Sequence, residues 1–342
     1  MKKLKVALTV VLLMSVAMLS ACGSQASGTA SESSGDAQPA DALTLKSADV
    51  VSVTSPYTKG MEKLSELVSA ETNGRITIKH FPAGQLGNDS QIVEGVKLGS
   101  IDIGMVGTIN SKVTEALYLP FLFENSEHMN AVLKGEIGEK LKQRFEEETG
   151  IKMIGFVYYA PRVLTTKGKE IRTPEDLKGF KIRVPEMATM IDTWKALGAS
   201  PTPIAFTELF TSLQQGVVDG QENPYEIIAN NSLYEVQDVV VETYHALPVR
   251  FLIMNKQRYD SLSAEEQQIL QKKWDEVSAY IEELYKAEEV GYIQKLKDNG
   301  MKFIKPDVEA FREATKDVWK KYAPEAFGEG VYEEIQALRK NK

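Results

Sequence analysis

One amphipathic segment near the carboxyl end constrains the fold more than any other part of the chain. Ser263 and Glu266 form the pattern of a capping box, and Asn299-Gly300 supplies a helix stop signal. From Ser263 to about Lys297 the apolar residues form one helical stripe: Ile269, Leu270, Trp274, Val277, Ile281, Leu284, Val290, Ile293 and Leu296. A helix of that length rises about 50 Å, which exceeds one small domain. We therefore predict that this helix runs across two domains.

The amino-terminal 41 residues have the pattern of an export signal and a tether. Three lysines precede an apolar run at residues 6–19 that is too short to cross a bilayer comfortably. Ser20-Ala21-Cys22 resembles a bacterial lipobox, and Cys22 is the only cysteine in the chain. We predict a signal peptide at 1–21, lipidation of Cys22, and a flexible Ser/Gly/Ala-rich linker to residue 41. The protein should then be exported and lipid-anchored on the extracytoplasmic side of a membrane, either in a periplasm or on the outer face of the cell membrane.

The charge balance limits the class of partner. The chain has 40 basic and 48 acidic residues, a formal net charge of −8. No basic stripe is present to bind nucleic-acid phosphates. Any anionic ligand must therefore be held by local cations and not by a long-range positive field.

Strand and helix patterns alternate at the start of the globular region. Residues 43–53, 76–81 and 101–106 have strand patterns, and helical patterns at 61–68 and 92–98 separate them. This order is typical of an α/β protein with a mostly parallel sheet. About 300 globular residues exceed one comfortable core, so two domains are expected.

Further elements follow from the same patterns. Residues 127–148 read as one amphipathic helix, and residues 152–159 as a strand. Residues 236–245 form a strand-like run, and residues 249–255 are apolar enough for a buried strand.

Two arginines lie where predicted strands end. Arg183 belongs to a short strand that stops at Pro185, and Arg162 follows the strand at 152–159. Ligands of α/β sheets bind at the carboxyl ends of the strands, and the planar fork of arginine holds a carboxylate by two parallel bonds. With the amide of Asn223, in a polar corner at residues 221–224, these residues predict a site for a small organic anion.

Simpler explanations remain open for each residue. A lone arginine in a strand is usually a solvated surface residue, and Asn before Pro is common turn chemistry. Arg162 could equally pair with a nearby acid.

Enzymatic chemistry lacks a signature in this sequence. The three histidines, His80, His128 and His245, have no metal-ligand spacing. The HExxH, GxSxG, GxGxxG and P-loop motifs are all missing. We therefore expect a non-enzymatic protein without cofactor or metal.

Three sequence runs together resemble one transporter family. They are KIRVPE…LGASPTPIAF…VDGQENP within residues 181–224, FPAGQLG at 81–87 and LPFLF at 119–123. These runs, with the strand leading to Arg162, are similar to solute-binding proteins of TRAP (tripartite ATP-independent periplasmic) transporters, the DctP family. The resemblance covers nearly all of the globular region.

The resemblance implies two periplasmic-binding-protein-like α/β lobes, joined by hinge strands and spanned by the long helix. Lobe I would comprise residues 42–159 and 248–285, and lobe II residues 160–247 and 286–342. A TRAP membrane permease would be the protein partner. A sensor that presents its ligand to a receptor, or a structural lipoprotein, would be the alternative on the same fold.

The resemblance also implies roles for individual residues. Arg183 would form the main salt bridge to the ligand carboxylate, Arg162 and Asn223 would support it, and Phe206 would pack on the ligand. Looser candidates are Tyr159, Gln85, Asp89 and His245, and a structural role is as good an explanation for His245. The chain departs from the sialate-binding pattern in the first strand and around Gly107, which disfavours sialate. The polar residues expected around the cleft favour a sugar acid such as a uronate or aldonate, with a C4-dicarboxylate or keto acid as the alternative; they are Gln85, Asp89, Tyr159, Gln221, Glu222 and Asn223.

Overall fold

Two separate sheets organise residues 42–339, the part of the chain that the computed structural model describes. The predicted signal peptide, lipidated Cys22 and linker lie outside these residues. The strands are β1 (Leu43–Ala48), β2 (Ile76–Phe81), β3 (Ile103–Val106), β4 (Lys152–Tyr158), β5 (Val163–Thr166), β6 (Lys181–Val184), β7 (Ser200–Pro203), β8 (Gly220–Asn223), β9 (Val239–Val241), β10 (Val249–Met254) and β11 (Lys302–Ile304).

Helices cover both sheets. In chain order they are α1 (Pro56–Glu71), α2 (Asp89–Leu98), α3 (Lys112–Ala116), α4 (Ser126–Leu133), α5 (Glu136–Thr149), α6 (Ala188–Ala196), α7 (Leu209–Gln214), α8 (Tyr225–Asn230), α9 (Lys256–Asp260), α10 (Ala264–Asp298), α11 (Val308–Thr315), α12 (Trp319–Phe327) and α13 (Val331–Ala337). Short 3-10 turns add Pro174–Leu177, Phe206–Glu208 and Leu233–Glu235. No helix between residues 42 and 339 is long and apolar enough to cross a membrane.

The first sheet, at the centre of lobe I, has the strand order β2-β1-β3-β10-β4. Strands β1, β2 and β3 are parallel, and α1 and α2 connect them, as the alternating sequence pattern predicts. The late strand β10 inserts antiparallel between β3 and β4. Lobe I is therefore completed by a segment that lies far away in sequence.

The second sheet, at the centre of lobe II, has the order β11-β9-β5-β8-β6-β7. Strand β6 is parallel to β7 and β8, whereas β5 is antiparallel to β8 and β9. The chain enters this sheet between β4 and β5 and leaves it between β9 and β10. The result is the expected two-lobed α/β fold.

The long helix α10 connects the two lobes. Its capping box is present, since Ser263 Oγ accepts from the N–H of Glu266 at 3.2 Å and Glu266 Oε2 accepts from the N–H of Ser263 at 2.8 Å. The helix packs on α1 and β4 of lobe I and on α8 of lobe II. In β4, Gly155 leaves room for Trp274, because a Cβ there would lie 2.3 Å from Trp274 Nε1.

Some predicted elements differ from the structure. Residues 127–148 form two helices, α4 and α5, because the chain turns at Gly135 and brings Gly138 against the carbonyl of Leu133. Only the part Val239–Val241 of the predicted strand at 236–245 is a strand. The polar corner expected at 221–224 is in fact mostly the buried strand β8.

A buried carboxyl lies where the two lobes meet the long helix. Glu226 in α8 is fully buried, and its Oε1 accepts from Asn230 Nδ2 at 2.9 Å. Tyr285 of α10 accepts from the backbone N–H of Glu226 at 3.5 Å. Its Oε2 has no hydrogen-bond partner within the described residues. Burial raises the pKa of the Glu226 carboxyl to about 7.

Glu226→Gln should make the folded state more stable at alkaline pH. The unfolded carboxyl has a pKa of 4.5 and the folded one a pKa of about 7, so the folded state favours the neutral acid. The Glu226 carboxyl therefore makes its full contribution to the stability of the folded state below pH 4.5, and this contribution is lost as the pH rises through 7. The variant should therefore gain about 2–3 kcal/mol over the wild type at pH 8 and almost nothing at pH 4.5. Urea denaturation across this range measures it, with the exposed Glu235→Gln as control. Parallel pH profiles for wild type and Glu226→Gln would contradict the assignment.

Gly155→Ala should destabilise lobe I by about 1–3 kcal/mol, because the new methyl group overlaps the Trp274 ring. Gly291→Ala is a matched control, since nothing lies within 4 Å of the added Cβ at that helical position. The control should be neutral or slightly stabilising. Equal urea midpoints for Gly155→Ala and wild type would show that this contact does not constrain the packing.

Candidate functional site

A cavity between the two lobes is the candidate site. Its cavity volume is small, about 30 Å³. Parallel strands of both sheets end at it: Val50 follows β1, Gly107 follows β3, and Arg183 lies near the end of β6. The remaining lining residues are Val51, Asp89, Thr108, Tyr118, Tyr159, Arg162, Pro185, Phe206, Asn223, Ile227 and Arg250. The strand-end rule thus correctly indicates where the polar groups of both lobes converge.

Arg183 is a buried cation with spare hydrogen-bonding capacity. Its side chain is 3% exposed, and its Nε donates to the carbonyl of Ile204 at 2.8 Å. Within residues 42–339, no acid forms an ion pair with it, and its two Nη groups have no hydrogen-bond partner. Burial lowers the pKa of Arg183 to about 10; Glu222 opposes this shift and Arg162 adds to it. The guanidinium is therefore charged at neutral pH and lacks the partner that a buried charge requires.

Arg162 forms an ion pair with Glu222. Pairing with a nearby acid was the alternative explanation for this residue. Its Nε donates to Glu222 Oε2, and its Nη2 donates to Glu222 Oε1 at 2.8 Å and to the Glu222 carbonyl at 2.8 Å. Burial opposes both charges, but the ion pair outweighs it, so the pKa of Arg162 is raised and that of Glu222 is lowered to about 2. Arg162 also lines the cavity, where its Nη1 has no hydrogen bond to any described residue.

Asn223 is oriented by its neighbours. Its Oδ1 accepts from Arg162 Nη2 at 3.1 Å and from Tyr159 Oη at 3.4 Å, and its Nδ2 donates to Gln221 Oε1 at 2.6 Å. One N–H of the amide thus stays available at the cavity wall. Phe206 lines the same cavity and is half-buried.

Two predicted ligand residues do not line this cavity. Gln85 is exposed in the loop after β2. His245 is fully buried behind Glu222: its Nε2 lies 3.1 Å from Glu222 Oε2, and its Nδ1 lies 2.9 Å from Thr243 Oγ1. The structure thus gives His245 the hydrogen-bonded structural position that was its alternative interpretation.

Asp89 lies on the lobe I wall at the start of α2. Its Oδ2 accepts from the N–H of Thr108 at 3.0 Å, and its Oδ1 is buried without a partner in the described part of the chain. Burial raises the pKa of Asp89, and the charge of Arg250 opposes that shift.

Sequence reasoning missed Arg250 and Tyr118. Arg250 lies in β10, within a run that reads simply as a buried strand, yet it lines the cavity and is 2% exposed. Tyr118 lies in a run that reads as an apolar turn, and its hydroxyl donates to the carbonyl of Gly107 at 2.6 Å. A lone cation inside an apolar strand is the signal that could have identified Arg250, since such a charge needs a polar cavity.

A larger recess lies elsewhere, between α4, α5 and α10. Its buried acid, Glu282, already binds Lys286 at 2.7 Å and Asn130 at 2.9 Å. This recess therefore lacks the unpaired buried charge that distinguishes the cavity around Arg183.

Comparison with known proteins shows the family to which this chain belongs. Residues 47–325 match the family model of the bacterial extracellular solute-binding proteins, family 7 (DctP). A solute-binding protein of Roseobacter denitrificans is 36% identical over 286 residues, which cover 81% of this chain and 86% of the relative. The 2,3-diketo-L-gulonate-binding periplasmic protein of Escherichia coli is 32% identical to this chain. The alignment covers 77% of this chain and 83% of that protein.

Solved structures of the family share the fold. The TRAP periplasmic solute-binding protein of Roseobacter denitrificans with bound L-galactonate has a TM-score of 0.78 at 34% identity, over 87% of this chain and 98% of that one. The TRAP periplasmic solute-binding protein of Xanthobacter autotrophicus with bound β-D-galacturonate has a TM-score of 0.79 at 32% identity. The match covers 86% of this chain and 98% of that one. The chain therefore belongs to the DctP family of TRAP-transporter solute-binding proteins, which are not enzymes.

Proposed function

We propose that the protein captures a small organic acid outside the cytoplasm and delivers it to the permease of a TRAP transporter. A sugar acid such as a uronate or an aldonate is the favoured ligand. Cys22 carries the lipid that holds the protein near the permease, and residues 23–41 act as the tether.

The unpaired cation Arg183 is the observation that carries this proposal. A ligand carboxylate would accept from both Nη groups, since these have no partner in the described residues while Nε is held by Ile204. The free N–H groups of Arg162 and Asn223 would satisfy the remaining lone pairs. A carboxylate satisfied in this way can be buried, and it supplies the charge that Arg183 lacks.

The ligands of relatives support the acid class. Related TRAP solute-binding proteins bind L-galactonate, β-D-galacturonate and D-glucuronate in their solved structures. A relative from Sulfurospirillum deleyianum, 27% identical, binds succinate, which keeps a C4-dicarboxylate as the alternative. The same arginine would hold one carboxylate of either class.

Hinge closure of the two lobes would bury the ligand. We propose that lobe I (residues 42–159 and 248–285) and lobe II (residues 160–247 and 286–342) close on the acid and then present the closed surface to the permease.

A contact across the cleft supports closure. Glu115 in α3, on the lobe I side, accepts from the N–H of Thr189 at 3.3 Å and from its hydroxyl at 3.5 Å, in the first turn of α6 in lobe II. Helix α6 has no side-chain cap from its own N-cap residue, Met187. Lobe I thus supplies the carboxylate that the amino end of this helix lacks.

Arg183→Met should abolish binding of the native acid. The variant keeps the length of the side chain but removes the cation, so affinity should fall by about 2–5 kcal/mol, at least thirtyfold. Isothermal titration calorimetry against aldonates, uronates, keto acids and C4-dicarboxylates measures it. Arg172→Met is the control, since Arg172 is an exposed residue of lobe II that pairs with Glu170. Near-normal affinity of Arg183→Met would refute the proposed site.

Glu115→Ala should weaken binding without altering the ligand contacts. Loss of the cross-lobe cap should reduce the closed population and lower affinity by about 1 kcal/mol, roughly fivefold. Calorimetry gives the affinity, and small-angle X-ray scattering with saturating acid gives the closed fraction. Glu94→Ala, an exposed position on α2, is the control. If Glu115→Ala closes and binds as the wild type does, the contact does not stabilise closure.

A further inference from the structure

We propose that Arg250 and Asp89 form a second polar subsite on the lobe I wall of the cavity, which binds hydroxyl groups of a polyhydroxy monocarboxylic acid. This inference rests on the proposed function and makes its ligand class specific. Arg183 would hold the carboxylate, and the lobe I pair would select what the rest of the ligand carries.

Gly107 is the point where the polar groups of this subsite converge. A Cβ placed on Gly107 would lie 3.3 Å from Arg250 Nη1, 3.7 Å from Asp89 Oδ2 and 3.7 Å from Tyr118 Oη. The three side chains come from β10, α2 and the segment after α3, and all of them line the cavity. Asp89 Oδ2 is bound to Thr108 and Tyr118 Oη to the Gly107 carbonyl, so Arg250 Nη1, which has no hydrogen bond within the described residues, is the free polar atom at this point.

Both members of the pair are short of hydrogen-bond partners. Asp89 Oδ1 and Arg250 Nε are buried, and neither has a partner within the described residues. Unsatisfied buried polar atoms are rare because each costs about 1–3 kcal/mol. A hydroxyl group both donates and accepts, so neighbouring hydroxyls of one ligand can donate to Asp89 and accept from Arg250.

Arg250 is held rigidly for this task. Its Nη2 donates to the carbonyl of Met105 at 2.7 Å. Its guanidinium lies over the rings of Tyr57, at 5.1 Å, and Tyr159, at 5.4 Å. The hydroxyl of Tyr57 is itself fixed by the carbonyl of Tyr158 at 3.1 Å. A donor that is already held in position loses little conformational entropy when the ligand binds, and such a fixed donor makes a selective contact.

The charge around the cavity disfavours a second carboxylate on the ligand. Arg162 is paired with Glu222, and Arg250 has two buried acids, Asp89 and Asp49, within range of its charge. Arg183 is therefore the cation left to bind a ligand carboxylate. A second carboxylate on the ligand would lie near the free oxygen of Asp89, and the two acids would repel each other.

Asp89→Asn and Arg250→Lys test the subsite by calorimetry. The panel is L-galactonate, D-galacturonate, D-glucuronate, succinate and pyruvate, and Asp260→Asn, exposed on α9, is the control. Wild type should bind one of the hydroxylated acids best, and each variant should lose at least tenfold affinity for that acid. Asp89→Asn should also shift the ratio of succinate to hydroxylated-acid affinity at least tenfold toward succinate, because it removes the repelling charge.

The outcomes separate this inference from the proposed function. If the wild type prefers succinate or pyruvate, or if both variants bind the hydroxylated acid like the control, the subsite is refuted while Arg183-dependent acid binding stands. If no acid in this panel binds to the wild type, both the subsite and the proposed function fail. Unchanged urea midpoints of the variants show that any loss is in binding and not in folding.

Discussion

The cost of burying a positive charge without a counter-ion is the constraint on which this site depends. Arg162 is tied to Glu222 and is electrically balanced within the protein, whereas Arg183 has only a backbone carbonyl. Arg162 is thus neutralised within the described residues, whereas Arg183 is not. A buried guanidinium keeps its proton, so within the described residues the charge of Arg183 has no counter-ion.

The fold serves this constraint by bringing strand ends of two sheets to one cavity. Lobe II supplies Arg162, Arg183 and Asn223 from neighbouring strands, and lobe I supplies Asp89 and Arg250. Helix α10 packs on elements of both lobes, and Glu115 contacts the amino end of α6 across the cleft.

Local patterns predicted much of this architecture. The capping box of α10, the alternation from β1 to β3 and the position of Arg183 at a strand end all depend on residues close in sequence. The miss at β8 has a long-range cause. Strand β8 contains Gln221, Glu222 and Asn223, which look like a turn, and only their pairing with β5 and β6 across the chain makes them a buried strand.

The sequence by itself determined the fold class, the long helix, and the arginine and amide of lobe II, since periodicity, capping and motif are local properties. Only the tertiary structure decided that Arg162 is already paired and that His245 stands behind Glu222. It also decided that Arg250 meets Asp89 at Gly107. These residues are separated by up to 161 positions, and no local pattern encodes which distant side chains will share one desolvated space.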